Sequence, residues 1–275
     1  MTMSDAAATD RSDERAVRVE RDGGVAVVTI DRPAAENALA ASVLEELERV
    51  FLELGGAGTG STIRGVLLVG AGGRAFVAGA DIKAISSLTP EEAAELAHRG
   101  HRAAAAIESS SAPVIACVDG FALGGGLEIA LACDLIYATD ASSFGQPEVK
   151  LGLIPGFGGT VRLPRAVGLA RAKELIYSGR RIGTDEAVAA GLVARRFPDR
   201  DALLAGARET VAEIAVNSPT AVGLAKRVLV AAAGQPTEVA TALEVAGFQD
   251  AFRTDDMREG VTAFLEKREP RFGGA

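Results

Sequence analysis

Two hydrophobic periods alternate along the first part of this chain. Val25–Ile30, Val66–Val69, Val114–Val118 and Leu135–Ala138 are short apolar runs, partly β-branched, bounded by Gly, Pro or Asp. Runs of that length and composition predict buried strands. Between them the period lengthens. Between Ser42 and Leu54, the apolar residues Val43, Leu44, Leu47, Val50, Phe51 and Leu54 make a helical stripe. Thr89-Pro90-Glu91-Glu92 supplies an N-cap, a first-turn proline and two acids at the positive end of a helix dipole. It predicts a helix from there to about Glu108. Strands alternating with helices imply an α/β fold with largely parallel pairing.

After about residue 200 the strand signals stop. Leu203, Leu204, Ala207, Val211, Ile214 and Ala215 are helix-spaced. Ser218-Pro219 and Gln235-Pro236-Thr237 start two more helices, and Met257, Val261, Phe264 and Leu265 mark a last one. The expected organisation is a leader at 1–15, an α/β core at 16–200 and a helical region at 201–275. A few helices cannot easily bury their apolar stripes alone, so they should pack on the core or on another subunit.

Composition narrows the class. Of 275 residues, 48% are hydrophobic, enough for a sizeable core, and no apolar run reaches the length of a membrane span. The polar, small-residue start, Met1 to Arg15, lacks the apolar stretch of a secretory signal. A cytoplasmic protein is the default expectation. The net charge of −8 argues against a broad nucleic-acid footprint. Cys117 and Cys133 sit in apolar segments and read as buried thiols, and His98 and His101 as a solvated helix face rather than metal ligands.

Three segments break the local rules. Phe76-Val77-Ala78-Gly79-Ala80-Asp81-Ile82-Lys83 follows a strand, with Asp81 placed to cap a short helix. Asp119 to Glu128 contains Gly124-Gly125-Gly126 at a helix start, where bare N–H groups and the dipole favour negative charge. Glu128 falls in the first turn of that helix, where an acid is also favoured by the dipole alone. Phe144-Gly145-Gln146-Pro147-Glu148-Val149 leads into Gly152 to Thr160, a glycine-rich loop. Neither a dinucleotide nor a P-loop fingerprint is present.

Together these segments resemble the crotonase (enoyl-CoA hydratase/isomerase) superfamily. Phe76–Lys83 is similar to its first oxyanion loop, Gly120–Asp134 to its second, and Phe144–Leu163 to its second catalytic loop. Arg32-Pro33 with Asn37-Ala38-Leu39 resembles its early CoA-contact loop; Asn217-Ser218-Pro219, Ala225-Lys226 and Ala263 to Arg268 resemble its C-terminal helices. The resemblance covers roughly residues 16–272. It implies a spiral of ββα units with a C-terminal helical trimerisation region, in a trimer or dimer of trimers. It implies backbone N–H groups of Ala80 and Gly125 as the oxyanion hole, with Glu128 and Glu148 as the two catalytic acids. Ala35, Ala78, Gly79, Asp81, Ile82, Lys83, Gly124, Pro147, Gly156, Phe157, Lys226 and Lys267 are the candidate contacts to a CoA thioester. Ile82, Ile85, Leu88 and Phe157 are candidates for an acyl pocket, or for plain core. No separate cofactor or metal is implied, because coenzyme A belongs to the substrate. Ala34 stands where many relatives carry Lys, and Glu36 where an apolar residue is usual.

The implied activity is hydration of a 2-enoyl-CoA. Two acids favour it over Δ3,Δ2-enoyl-CoA isomerisation, which needs one; other acyl-CoA chemistry and a nucleic-acid-binding role are more distant. Two close carboxyls in an apolar pocket are expected to split their pKa values, with Glu128 as base and Glu148 as proton donor.

Overall fold

The computed structural model describes residues 16–55 and 62–274; the expected leader, 1–15, lies outside them. From the N-terminus, β1 (Val17–Asp22) and β2 (Val25–Ile30) form a hairpin, followed by α1 (Ala41–Gly55). Then come β3 (Gly65–Gly70), the short β4 (Ala75–Val77), α2 (Ile82–Ile85) and α3 (Pro90–Glu108). The alternation repeats with β5 (Val114–Val118), the short β6 (Phe121–Leu123) and α4 (Gly125–Leu131). It repeats again with β7 (Leu135–Thr139), the short β8 (Ser143–Gly145), a 3-10 turn at Glu148–Leu151, α5 (Gly159–Val167) and α6 (Leu169–Ser178). β9 (Arg181–Gly183), α7 (Thr184–Ala189) and β10 (Arg195–Phe197) precede four helices: α8 (Arg200–Ala215), α9 (Pro219–Ala232), α10 (Thr237–Ala251) and α11 (Asp255–Glu266).

Each turn of the chain lays one strand in each of two sheets and then a helix. The large sheet runs β1-β2-β3-β5-β7-β10 and is parallel from β2 onward. The small sheet runs β4-β6-β8-β9, its first three strands parallel. This is the spiral of ββα units. The predicted strands are those of the large sheet. They read as unbroken apolar runs because both faces are covered. Val66, Leu68 and Val114 point into the core beneath α1 and α3; Leu67, Val69 and Ile115 point the other way, against Leu203, Ala207 and Val211 of α8.

α8 is therefore a layer of the sheet, although its sequence signals group it with the C-terminal helices. The helices beyond it are differently placed. α10 buries only Gly247, and Val239, Val245, Phe248 and Phe252 are exposed. α9 is anchored by Lys226, whose Nζ lies 2.7 Å from Asp134 Oδ2 and also donates to the carbonyls of Ala112 and Ile107. Thr89 and Glu92 complete the capping box that starts α3. No helix among the described residues is long and apolar enough to cross a membrane.

Candidate active site

The three unusual segments leave the C-terminal ends of β4, β6 and β8, which lie side by side and run parallel. The first, Ala78 to Asp81, is held by the turn between Arg32 and Leu39. Leu39 N donates to Gly79 O (2.9 Å), Asp81 N to Leu39 O (3.0 Å) and Ala78 N to Glu36 O (3.1 Å). The turn itself is pinned by fully buried Asn37, whose amide donates to the carbonyls of Ala71 and Ala75. Among the described residues, the N–H of Ala80 has no acceptor. Asp81 caps α2 through Ala84 N and faces Arg32 at 3.6 Å.

The second loop turns at Gly124, which has φ of +50° and donates to Gly145 O, tying it to the third loop. Gly125 is the first residue of α4, and its N–H likewise has no acceptor among the described residues. Packing enforces the next two glycines. A Cβ on Gly125 would sit 3.0 Å from the Phe157 ring and 3.2 Å from Leu39, and one on Gly126 would sit 2.1 Å from the Val77 carbonyl oxygen. Leu39 thus pairs with Ala80 in a β-bridge through its backbone while its side chain lies beside Gly125, so one residue touches both loops.

Glu128, one turn into α4, is 1% exposed. Its Oε1 accepts from Phe157 N (2.8 Å) and Gly159 N (2.6 Å). Burial raises the carboxyl above its ordinary range, and the Gly159 and Phe157 amides and the Arg162 charge offset only part of that rise. Glu148 enters from the third loop. Its Oε1 lies 3.0 Å from where a Gly124 Cβ would be. The fully buried Gln146 amide, oriented with its nitrogen toward the acid, donates to Glu148 Oε1 and Oε2 at 2.8 and 3.1 Å. Burial, reinforced by the Glu128 charge, pushes Glu148 up to about 7.

The structure thus gathers Ala80, Gly124, Gly125, Glu128 and Glu148, with Ala78, Gly79 and Pro147 in the connecting loops. Ala35 sits in the 3-10 turn of the early loop, and Ile82 and Lys83 are exposed on α2. Gly156 precedes Phe157, with open space beside it. One expectation needs correction. Lys226 is not available to a phosphate, because its ammonium is buried and committed to Asp134. Phe157, expected either in an acyl wall or in the core, is 5% exposed, with its ring against Gly100 and Gly125. Lys267 ends α11 in a left-handed conformation, exposed, and no described contact links it to the three loops. Glu36 also has φ of +50°; it pairs with Arg74 and lends its carbonyl to the first loop. Sequence reasoning quoted Asn37, Leu39 and Gln146 only as parts of motifs, without a role of their own, and did not anticipate the amides of Phe157 and Gly159. For Gln146 the available signal was a polar side chain between a glycine and Pro-Glu.

Fold and site together define an α/β enzyme class in which two open main-chain amides and two buried carboxyls are carried by loops at one end of a small parallel sheet. A profile of the enoyl-CoA hydratase/isomerase family matches residues 20–275. The chain is 42% identical over 252 residues to a short-chain-enoyl-CoA hydratase of Clostridium acetobutylicum, covering 92% of this chain and 95% of that protein. It is 40% identical over 256 residues to a crotonyl-CoA hydratase of Syntrophomonas wolfei, covering 92% and 96%. The crystal structure of an enoyl-CoA hydratase from Bacillus anthracis superposes with a TM-score of 0.88 at 36% identity, covering 94% of this chain and all of that one. The chain belongs to the enoyl-CoA hydratase/isomerase family, and its ββα spiral is the crotonase fold.

Proposed function

We propose that this enzyme is a hydro-lyase that adds water across the 2,3 double bond of a 2-enoyl-CoA thioester, giving the 3-hydroxyacyl-CoA. The observation that carries this reading is the pair of unequal carboxyls. Burial raises both: for Glu128 two backbone N–H donors offset part of the rise, whereas Glu148 is pushed up to about 7, with the Glu128 charge adding to the rise, so near neutrality Glu148 is the acid that keeps a proton in part of the molecules.

The step balances as follows. Glu128 takes a proton from water as the water oxygen bonds to C3. The π electrons move through C2 to the thioester oxygen, whose negative charge is received by the N–H groups of Ala80 and Gly125. Each such donor is worth roughly 3–4 kcal/mol in the transition state. The enolate collapses as C2 takes the proton of Glu148, and proton exchange between the acids resets the site. The names of the relatives support the same chemistry. Lys83, free on α2, is the proposed cation for the CoA phosphates, and Ile82, Ile85 and Leu88 the proposed acyl wall. The exposed apolar side chains of α10 support a homo-oligomer, and the family resemblance is the ground for proposing a trimer or dimer of trimers.

Glu128→Gln and Glu148→Gln, assayed with crotonyl-CoA by loss of the conjugated double bond, should each lower kcat by on the order of 10²–10⁴-fold. Near wild-type hydration by folded Glu148→Gln would show that only one acid is needed. A 3-enoyl-CoA assay would then separate isomerisation from hydration.

A further inference from the structure

The turn that grips Glu128 is itself held from behind. Phe157 and Gly159 point their N–H groups at Glu128 Oε1, and the carbonyl of Phe157 points the other way. There it accepts from Arg162 Nη1 at 3.1 Å. The rest of that guanidinium is locked in a fork on Glu108, with Nε to Oε1 at 2.7 Å and Nη2 to Oε2 at 2.9 Å. Bidentate pairs of this kind fix orientation as well as charge. The Arg162 side chain is 14% exposed and that of Glu108 27%. The two residues come from different elements. Glu108 ends α3 and Arg162 lies in the first turn of α5, so the fork also sets the distance between those helices.

Gly158 completes the arrangement. Its φ is +113°, and a Cβ there would lie 2.0 Å from Arg162 Nη1. The guanidinium therefore occupies the space that a side chain at 158 would need.

We propose that Arg162, held by Glu108, is a positioning residue for Glu128: it fixes the Phe157–Gly159 turn so that two amides present themselves to the carboxylate. The proposal rests on Glu128 being the base. Arg162 touches no reacting atom. It acts through the turn, and its charge adds to the ionised form of Glu128. The charged groups around this device are few. Glu148 faces Glu128 across the site. His101, on α3, feels both Arg162 and Glu108, with His98 beyond it; burial, Arg162 and His98 lower its pKa.

The test is the pH dependence of kcat and kcat/KM for crotonyl-CoA hydration in Arg162→Gln, Arg162→Lys and Glu108→Gln. Arg162→Gln should lower kcat about 100-fold, as expected for misplacement of a catalytic group, with KM changed far less. Its acid limb should move to higher pH by on the order of one unit, because the ionised base has lost a positive neighbour. Arg162→Lys keeps the charge and should restore most of the limb but not all of kcat. Glu108→Gln, the milder lesion should Arg162→Gln not fold, should shift both in the same direction by less.

Folded variants that lose thermal stability but keep the wild-type kcat and acid limb would overturn the proposal. So would a limb shift that disappears in a His101→Gln background, which would assign it to the imidazole. Glu128→Gln is run alongside. If that variant retains full activity, the reading of the site has failed; if it is inactive while the Arg162 variants are normal, only the positioning role has failed.

Discussion

Glu148 carries a stability cost that its chemistry explains. Its carboxyl ordinarily titrates near 4.5, and burial with the Glu128 charge pushes it up to about 7. The folded protein thus holds a proton that the unfolded chain releases between those values, so stability falls as pH rises through that window. Urea melts at pH 5 and pH 8 should show Glu148→Gln gaining on the parent at the higher pH and not at the lower. Equal gains at both would mean that the acid is not destabilised by burial. The two acids stood out in the sequence only through the motifs around them, Gly-Gly-Gly-Leu-Glu and Gly-Gln-Pro-Glu, which resemble the family's; read alone, Glu128 is a dipole-favoured acid and Glu148 a loop acid. Gln146 did not stand out, since nothing local distinguishes a buried amide from a loop amide; its side chain lies against Gly159 and Glu148, a contact made only when the loop folds back. Lys226 was misplaced for the converse reason. A lysine on an amphipathic helix is solvated by default, and only its tertiary partner, Asp134, reveals otherwise.

At the scale of elements, the close seat of α4 on β4 is the critical contact. A methyl on Gly126 would meet a backbone oxygen, Val77 O, at 2.1 Å, and backbone cannot rotate away as a side chain can. Gly126→Ala should therefore cost at least about 1–3 kcal/mol, the usual scale of overpacking, and should displace Gly125 from the site. The check is a lowered thermal midpoint together with lost hydration; a fully stable variant would place the helix further from the strand. The long strands were readable from their apolar runs. β4, β6 and β8 were not, because three residues are too few to show a period. They are nevertheless the strands from which the site emerges. α8 was readable as a helix but not as part of the sheet layer, since its apolar stripe fits any apolar partner.

For the molecule as a whole, α10 is the open question in packing. It is apolar on nearly every side yet buries only Gly247, against Val228 of α9. A helix of that kind is expected against another copy of the chain. Val245→Glu with Phe248→Glu should shift the sedimentation coefficient toward a monomer while leaving the helical signal intact. Unchanged sedimentation would place the subunit contacts elsewhere. The charge and absent fingerprints of the sequence argue against whole classes of partner, but the apolar stripes of a single chain do not sort into those that meet core and those that meet a neighbour. The small sheet has one last implication. Ala80, Gly125 and Glu148 each follow one of three consecutive parallel strands, and neighbouring strands are spaced by roughly 4.8 Å because hydrogen bonds set that pitch. The sheet acts as a ruler for the groups at its edge. Whatever changes in the loops beyond it, the gauge between the two open amides and the Glu148 carboxyl is set by that pitch.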